Sequence, residues 1–106
     1  MTTATTLRLM RERGIYTCEV EGCMNQGAES HHCLYHRKRG KHAVPELDMD
    51  ENLQVVCLSC HKHTGKALTF QNRLHFWEVQ CRRYGHDHMV AWHNALPLTV
   101  KENAYK

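Results

Sequence analysis

The chain has 106 residues, which is enough for one small domain with a modest core. Hydrophobic residues make up 42% and charged residues 24%, the balance of an ordinary soluble globular protein. No apolar run approaches the ~20 residues of a membrane span, which excludes a membrane-spanning segment. The formal net charge of +3 permits nucleic-acid binding without arguing for it. Residues 1–6 lack the charged start and apolar stretch of a secretory signal, so we expect a cytoplasmic protein.

The first half of the chain predicts one helix and then short strands. Residues 5–13 predict a helix with Leu7 and Met10 on its apolar stripe, a cap at Thr5 or Thr6, and an end at Gly14. Short strands are predicted at residues 15–18, 30–35 and 52–58, followed by a helical turn over residues 59–63. Between the last two strands, an acidic segment is expected to be solvated loop; its members are Glu46, Asp48, Asp50 and Glu51.

The second half predicts two helices. Over residues 69–84, apolar residues recur at the period of one buried helix face, namely Phe70, Leu74, Trp77, Cys81 and Tyr84. Gly85 ends this helix, and a last one is predicted from an Asp87 cap to Leu96, before Pro97. Together the elements predict one small α+β domain over residues 1–106, with a motif core near residues 15–65 and C-terminal helices near residues 69–96.

Six cysteines and ten histidines favour metal binding in a chain this short. Cys18 and Cys23 form a Cys-x4-Cys pair, and Cys57 and Cys60 form a Cys-x2-Cys pair. Four thiolates suit tetrahedral zinc, and a closed shell of four ligands makes the site structural. The alternatives are free buried cysteines and disulfides, and a reducing compartment makes the disulfides less suitable. The remaining Cys33 and Cys81 are assigned to packing.

The residues around the second cysteine pair resemble a known family. Adjacent His31 and His32, then Asn52, then His61 directly after Cys60 follow the order of the HNH endonucleases. The subclass with two cysteine knuckles matches best, over about residues 15–65. The resemblance implies the ββα-metal fold, in which two strands and a helix surround one catalytic divalent ion: Mg²⁺, Mn²⁺, Ni²⁺ or Zn²⁺.

The same resemblance implies a role for each matching residue. His32 would be the general base, and Asn52 would pin the loop and orient His32 through a backbone contact. His31 and His61 would be the two protein ligands of the catalytic ion. Some family members have a further ligand one turn later, where this chain has Gly65, so water and the phosphate would complete the shell. Strand alternation places adjacent histidines on opposite faces, so both would face one cleft only with a bulge or twist.

This chemistry suits phosphodiester hydrolysis on general grounds. A neutral imidazole accepts a proton from water near pH 7, and a divalent ion polarises the phosphate. A basic turn follows the histidine strand and could contact flanking DNA phosphates; its members are Arg37, Lys38, Arg39 and Lys41. The alternative interpretation of this turn is a solvated loop.

The C-terminal half resembles phage recombination nucleases of the NinG type at scattered positions, namely Gly65, Leu74, Tyr84, Gly85 and Trp92. This similarity implies a protein of phage or mobile-element origin. We therefore expect a DNA endonuclease that nicks non-specifically or by DNA structure. The alternatives are a non-catalytic zinc module that binds nucleic acid and a zinc domain that binds protein.

Overall fold

The computed structural model describes residues 3–35 and 44–97. Within these residues, three helices surround a two-stranded antiparallel sheet, which confirms the α+β class. The elements are α1 (Ala4–Arg13), β1 (Glu29–His32), β2 (Leu53–Val56), α2 (Phe70–Tyr84) and α3 (His86–Asn94). None of the described helices combines the length and apolar character needed to cross a membrane.

Helix α1 begins one residue earlier than predicted and ends where predicted. The Thr3 side chain accepts a hydrogen bond from the Thr6 amide, so Thr3 is the cap that was assigned to Thr5 or Thr6. Gly14 ends the helix in the left-handed conformation, with φ of +67°. Leu9 and Met10 pack with Leu53 and Val55 of β2, whereas Leu7 is exposed.

The two strands pair in a continuous register from Glu29 opposite Val56 to His32 opposite Leu53. Strand β1 is shorter than predicted because the amides of Leu34 and Tyr35 turn away from the ladder. The Cys33 amide still donates to the carbonyl of Asn52, the next residue in register, at 2.8 Å, but the following two amides donate to the Asn52 side chain. The predicted strand at residues 15–18 is reduced to a single bridge between Thr17 and Gln26.

Helix α2 has the predicted extent but turns a different face inward. Its buried residues are Asn72, Phe76 and Gln80. Of the face predicted to be buried, Phe70 and Leu74 are 51% and 50% exposed, so that prediction is wrong at its N-terminal end. The remaining members, Trp77, Cys81 and Tyr84, are partly buried against the core.

Two buried amides account for this rotation of α2. Asn72 exchanges hydrogen bonds with Gln54 of β2, at 2.8 and 3.2 Å. Gln80 donates to the carbonyls of Asp50 and Glu51, each at 3.1 Å. Because the side-chain amides of Asn72 and Gln80 are hydrogen-bonded, they can be buried on the inner face of α2. A prediction that looks only for apolar residues does not find this face.

The largest core cluster lies between α2, α3 and the segments on either side of residues 36–43. Its buried members are Cys33, Leu34, Tyr35, Leu47, Phe76, Met89, Trp92 and Leu96. Helix α3 starts directly after Gly85, with Asp87 in its first turn and no side-chain cap, which corrects the predicted Asp87 cap.

The acidic segment is ordered and partly buried, contrary to the predicted solvated loop. It forms short 3-10 turns at Pro45–Asp48 and Asp50–Asn52. The Asp50 carboxylate accepts two hydrogen bonds from Arg8 of α1, at 2.7 and 2.9 Å. The Glu51 side chain is buried and lies 3.0 Å from Nε2 of His88. These contacts join α1 and α3 to the turns that precede β2.

A buried carboxylate connects three further elements. Glu19 is paired with Arg13 at the end of α1 at 2.8 Å and with Arg83 of α2 at 2.7 Å. It also accepts a hydrogen bond from the Val55 amide of β2 at 2.8 Å. Because both of its oxygens are engaged, the buried charge is compensated rather than isolated.

Candidate metal centres

The cysteines predicted to bind one metal ion lie together. Cys18 and Cys23 belong to the turn after α1, and Cys57 and Cys60 follow β2. Their sulfur atoms all lie within 4.8 Å of one another, and the Sγ atoms of Cys23 and Cys57 are 3.7 Å apart. Four sulfurs around one ion at about 2.3 Å would stand about 3.8 Å apart, whereas a disulfide needs about 2.05 Å. The cluster of free thiols could therefore hold a structural metal ion.

The first cysteine pair is shaped by a tight turn. The Cys18 amide donates to the Asn25 carbonyl at 2.8 Å, and the Cys23 amide donates to the Val20 carbonyl at 3.0 Å. Gly22, just before Cys23, has a φ of +80°, which a residue with a side chain rarely adopts. This turn brings both sulfurs to the same side.

The second pair contains a thiol, Cys57, whose pKa is lowered. Burial disfavours the Cys57 thiolate, but the Cys60 amide and the Asn25 side chain donate to its Sγ at 3.3 and 3.6 Å. The donors outweigh burial and lower the pKa of Cys57 to about 6. Burial instead raises the pKa of Cys18 to about 11. A bound cation would favour both thiolates.

The two remaining cysteines pack in the core, as predicted. Cys33 is buried, and its burial raises the pKa of its thiol to about 12. Its Sγ lies 3.7 Å from Nδ2 of Asn72. Cys81 is partly buried against the largest core cluster.

His31 and His61 come together from different elements. His31 is buried on β1 opposite Gln54, and His61 lies in the helical turn Ser59–His63 that carries Cys60. Their ring centroids are 4.9 Å apart, with 53° between the ring planes. Two imidazoles bound to one ion at about 2.1 Å and roughly 100° would have centroids about 5 Å apart. The ring separation is therefore compatible with two ligands of one divalent ion.

His32 has a different neighbour. Its Nε2 lies 2.8 Å from Oδ1 of Asp48, in the 3-10 turn before β2. The register of β1 is continuous through His31 and His32, so ordinary alternation separates the two side chains. His32 is partly exposed, whereas His31 is buried. The bulge that would turn both histidines toward one cleft is not found in the described strand.

Asn52 fixes the backbone that follows the histidine pair. Its Oδ1 accepts from the amides of Leu34 and Tyr35, each at 2.9 Å. Its Nδ2 donates to the carbonyls of Tyr35 and Leu47, at 3.0 and 2.8 Å. The fully buried side chain thus ties the end of the histidine segment to the turn containing Asp48.

Glu29 contacts His61 from the first position of β1. Its Oε1 lies 2.9 Å from Nδ1 of His61, and its Oε2 lies 3.2 Å from Nζ of Lys62. The hydrogen bond from His61, helped by Lys62, holds the pKa of Glu29 below its usual value. Both Glu29 and Asp48 were missed as site residues, because their histidine partners are distant in sequence.

The structure gives little information on the predicted DNA contacts and on the position of Gly65. Arg37, Lys38, Arg39 and Lys41 lie outside the described residues, so their contact with DNA stays a prediction. Gly65 ends the helical turn with a φ of +69° and offers no ligand atom. His63 is exposed.

Comparison of the chain with protein-family models, with curated proteins and with solved structures finds no match. The candidate functions therefore rest on the residues and geometry described above.

Proposed function

We propose that the chain is an HNH-type endonuclease of the ββα-metal class that hydrolyses phosphodiester bonds in DNA. The observation that supports the proposal is the approach of the His31 and His61 rings to 4.9 Å, beside a cluster of four cysteines. A zinc-binding module without catalysis has no need of an imidazole pair next to its cysteines. Four thiolates favour zinc as the structural ion.

In this proposal His31 and His61 would hold a divalent ion, which would supply charge to polarise the phosphate and stabilise the leaving oxygen. His32 would take a proton from the attacking water; because its side chain leaves the face of β1 opposite to His31, this step requires a local twist of the strand. Since Asp48 lies against Nε2 of His32, it can accept that N–H and leave the lone pair on Nδ1. Asn52 holds the backbone after His32, and with two protein ligands the ion would leave room for water and substrate.

The proposal implies cleavage of one strand at each encounter. One base and one divalent ion serve a single phosphodiester, so supercoiled DNA should become nicked circles before linear product accumulates. The basic residues between positions 37 and 41 would contact neighbouring phosphates. DNA binding would therefore weaken as the salt concentration rises. A phage or mobile-element role in the host cytoplasm is part of the same proposal.

Nicking of supercoiled plasmid tests this function. Zinc-loaded protein is incubated with Mg²⁺, Mn²⁺ or Ni²⁺, and brief chelation followed by re-addition of metal serves as the metal control. The expected result is metal-dependent nicking that His63→Ala, which changes an exposed histidine of the same turn, leaves intact. Binding of DNA without nicking by any of the metals would favour the non-catalytic zinc module instead.

A further inference from the structure

We infer that Glu29 is a positioning residue that sets the tautomer and orientation of His61 for binding a divalent ion. This inference rests on the proposed function, because it concerns the same His31–His61 pair. Its basis is the placement of Glu29 on β1 and its contacts on both carboxylate oxygens.

The strand places Glu29 and His31 side by side. They are separated by one residue, and β1 is regularly paired over both positions, so their side chains leave the same face. Both reach His61, His31 by its ring at 4.9 Å between centroids and Glu29 by Oε1 at 2.9 Å. His61 is thus held between a second imidazole and a carboxylate.

The hydrogen bond determines which nitrogen of His61 can bind metal. An ionised carboxylate only accepts, so Nδ1 of His61 must be the donor, and in the neutral ring Nε2 then carries the lone pair. Metal-binding histidines commonly donate their other N–H to a carboxylate, which fixes the ring and raises its basicity. Glu29 is placed to do this for His61.

The same geometry distinguishes Glu29 from a ligand. Among the described residues, donor atoms of three or more potential ligands converge only at the four cysteines, so Glu29 does not complete a triad with His31 and His61. Its second oxygen lies 3.2 Å from Nζ of Lys62. Lys62, whose side chain is 58% exposed, therefore pairs with the oxygen that His61 does not use.

Isothermal titration calorimetry of Ni²⁺ binding to the zinc-loaded protein tests the inference without measuring cleavage. Glu29→Ala should weaken Ni²⁺ binding about 10–100-fold, since outer partners of metal ligands have effects of this size. Glu29→Gln, whose amide oxygen can still accept from Nδ1, should recover most of the affinity. Lys62→Ala is the matched control and should change affinity by about threefold or less, because the His61 contact remains.

The tautomer of His61 gives a second readout. It would not change if Glu29 only stabilised the fold. In long-range ¹H–¹⁵N spectra of zinc-loaded wild type without added Ni²⁺, we expect the proton on Nδ1. Glu29→Asp, which retracts the carboxylate by one methylene, should shift the population toward Nε2–H even if Glu29→Ala fails to fold. An Nε2–H tautomer in wild type would overturn the inference.

His61→Ala separates the inference from the proposed function. If wild type binds Ni²⁺, His61→Ala abolishes binding and Glu29→Ala changes nothing, the role of Glu29 is refuted while the nuclease proposal stands. If Glu29→Gln loses as much affinity as Glu29→Ala, Glu29 is itself a ligand and the positioning role is wrong. If wild type binds no Ni²⁺ beyond its zinc, or His61→Ala binds it equally well, both proposals fail.

Discussion

Asn52 shows how a single side chain can organise the region around the histidine pair. It makes four hydrogen bonds to backbone groups and is fully buried. Those bonds end β1 after His32 and hold Leu34 and Tyr35 against Leu47. Its described contacts are to the backbone, so any effect on His32 is transmitted through the chain.

We predict that Asn52→Ala lowers stability and slows nicking without removing the divalent ion. The free energy of unfolding should fall by about 3 kcal/mol, because several buried backbone groups lose their partner at about 1–3 kcal/mol each. Urea denaturation measures the first effect and Ni²⁺ titration of the zinc-loaded protein the second. Loss of Ni²⁺ binding by a folded Asn52→Ala protein would contradict this separation of roles.

At the scale of elements, α2 combines a correctly predicted extent with a wrongly predicted face. Its inner residues, Asn72, Phe76 and Gln80, stand four apart, and only Phe76 is apolar. The exposed Phe70 and Leu74 instead border a surface cavity of about 330 Å³ with Tyr35 and Trp77. The largest packing contribution of α2 should therefore come from Phe76.

We predict that Phe76→Ala lowers the free energy of unfolding by about 3–5 kcal/mol, the usual cost of emptying a buried aromatic site. Leu74→Ala, on the same helix but half exposed, should cost about 1 kcal/mol or less. Chemical denaturation of both variants gives the comparison. Equal losses at the two positions would mean that the helix is rotated differently.

Local sequence predicted the extents of α1 and α2 and the two cysteine pairs, because helix-ending glycines and ligand spacing are short-range signals. It also predicted the α+β class. It missed the inner face of α2 because Asn72 and Gln80 are buried through hydrogen bonds to Gln54, Asp50 and Glu51, which only the tertiary structure reveals. For the same reason the partners of His61 and His32, Glu29 and Asp48, had no sequence signal.

For the molecule as a whole, long-range contacts hold the helices around a sheet that has two strands within residues 3–35 and 44–97. The cysteine cluster joins the turn after α1 to the end of β2, and a small hydrophobic cluster surrounds it, including Val20, Val56 and Ala67. A domain with so little sheet is expected to depend on a bound metal ion for stability.

We predict that removing the structural ion unfolds the protein. Binding of structural zinc contributes on the order of 10 kcal/mol, comparable to the whole stability of a small domain. The Cys57→Ser protein should therefore be unfolded or aggregated. The Cys81→Ser protein should fold, because Cys81 lies outside the cysteine cluster. Elemental analysis should find one zinc per chain in wild type. A zinc-free protein with full secondary structure would show that the fold does not need the ion.

The Arg8–Asp50 ion pair predicts a pH dependence that also belongs to the whole molecule, because it fastens α1 to the turn before β2. The Arg8 guanidinium holds the pKa of Asp50 below its ordinary value of 3.8 in the folded chain. A depressed folded pKa adds stability above the unfolded pKa, and this stability is lost as the pH falls through the folded value.

We expect Asp50→Asn to lower the free energy of unfolding by up to about 1 kcal/mol at neutral pH, since the pair is partly exposed. The difference from wild type should shrink below pH 3.8 as the wild-type carboxyl becomes protonated. Urea denaturation across the acid range measures it, and Glu12→Gln, which removes the exposed partner of Arg8, is the control. A difference that persists at the lowest pH would assign the effect to packing rather than charge.

The proposed site divides the chemistry between His31, as a metal ligand, and His32, as the base. The rate of plasmid nicking as a function of Mn²⁺ concentration in wild type, His31→Ala and His32→Ala tests this division. His31→Ala should need more Mn²⁺ and regain part of the rate when it is supplied. His32→Ala should bind Mn²⁺ normally yet remain about 10²–10⁴-fold slower at saturation, the usual contribution of a general base. If His32→Ala is instead rescued by Mn²⁺ and His31→Ala is not, the two roles are reversed; if neither substitution changes the rate, the proposed site is wrong.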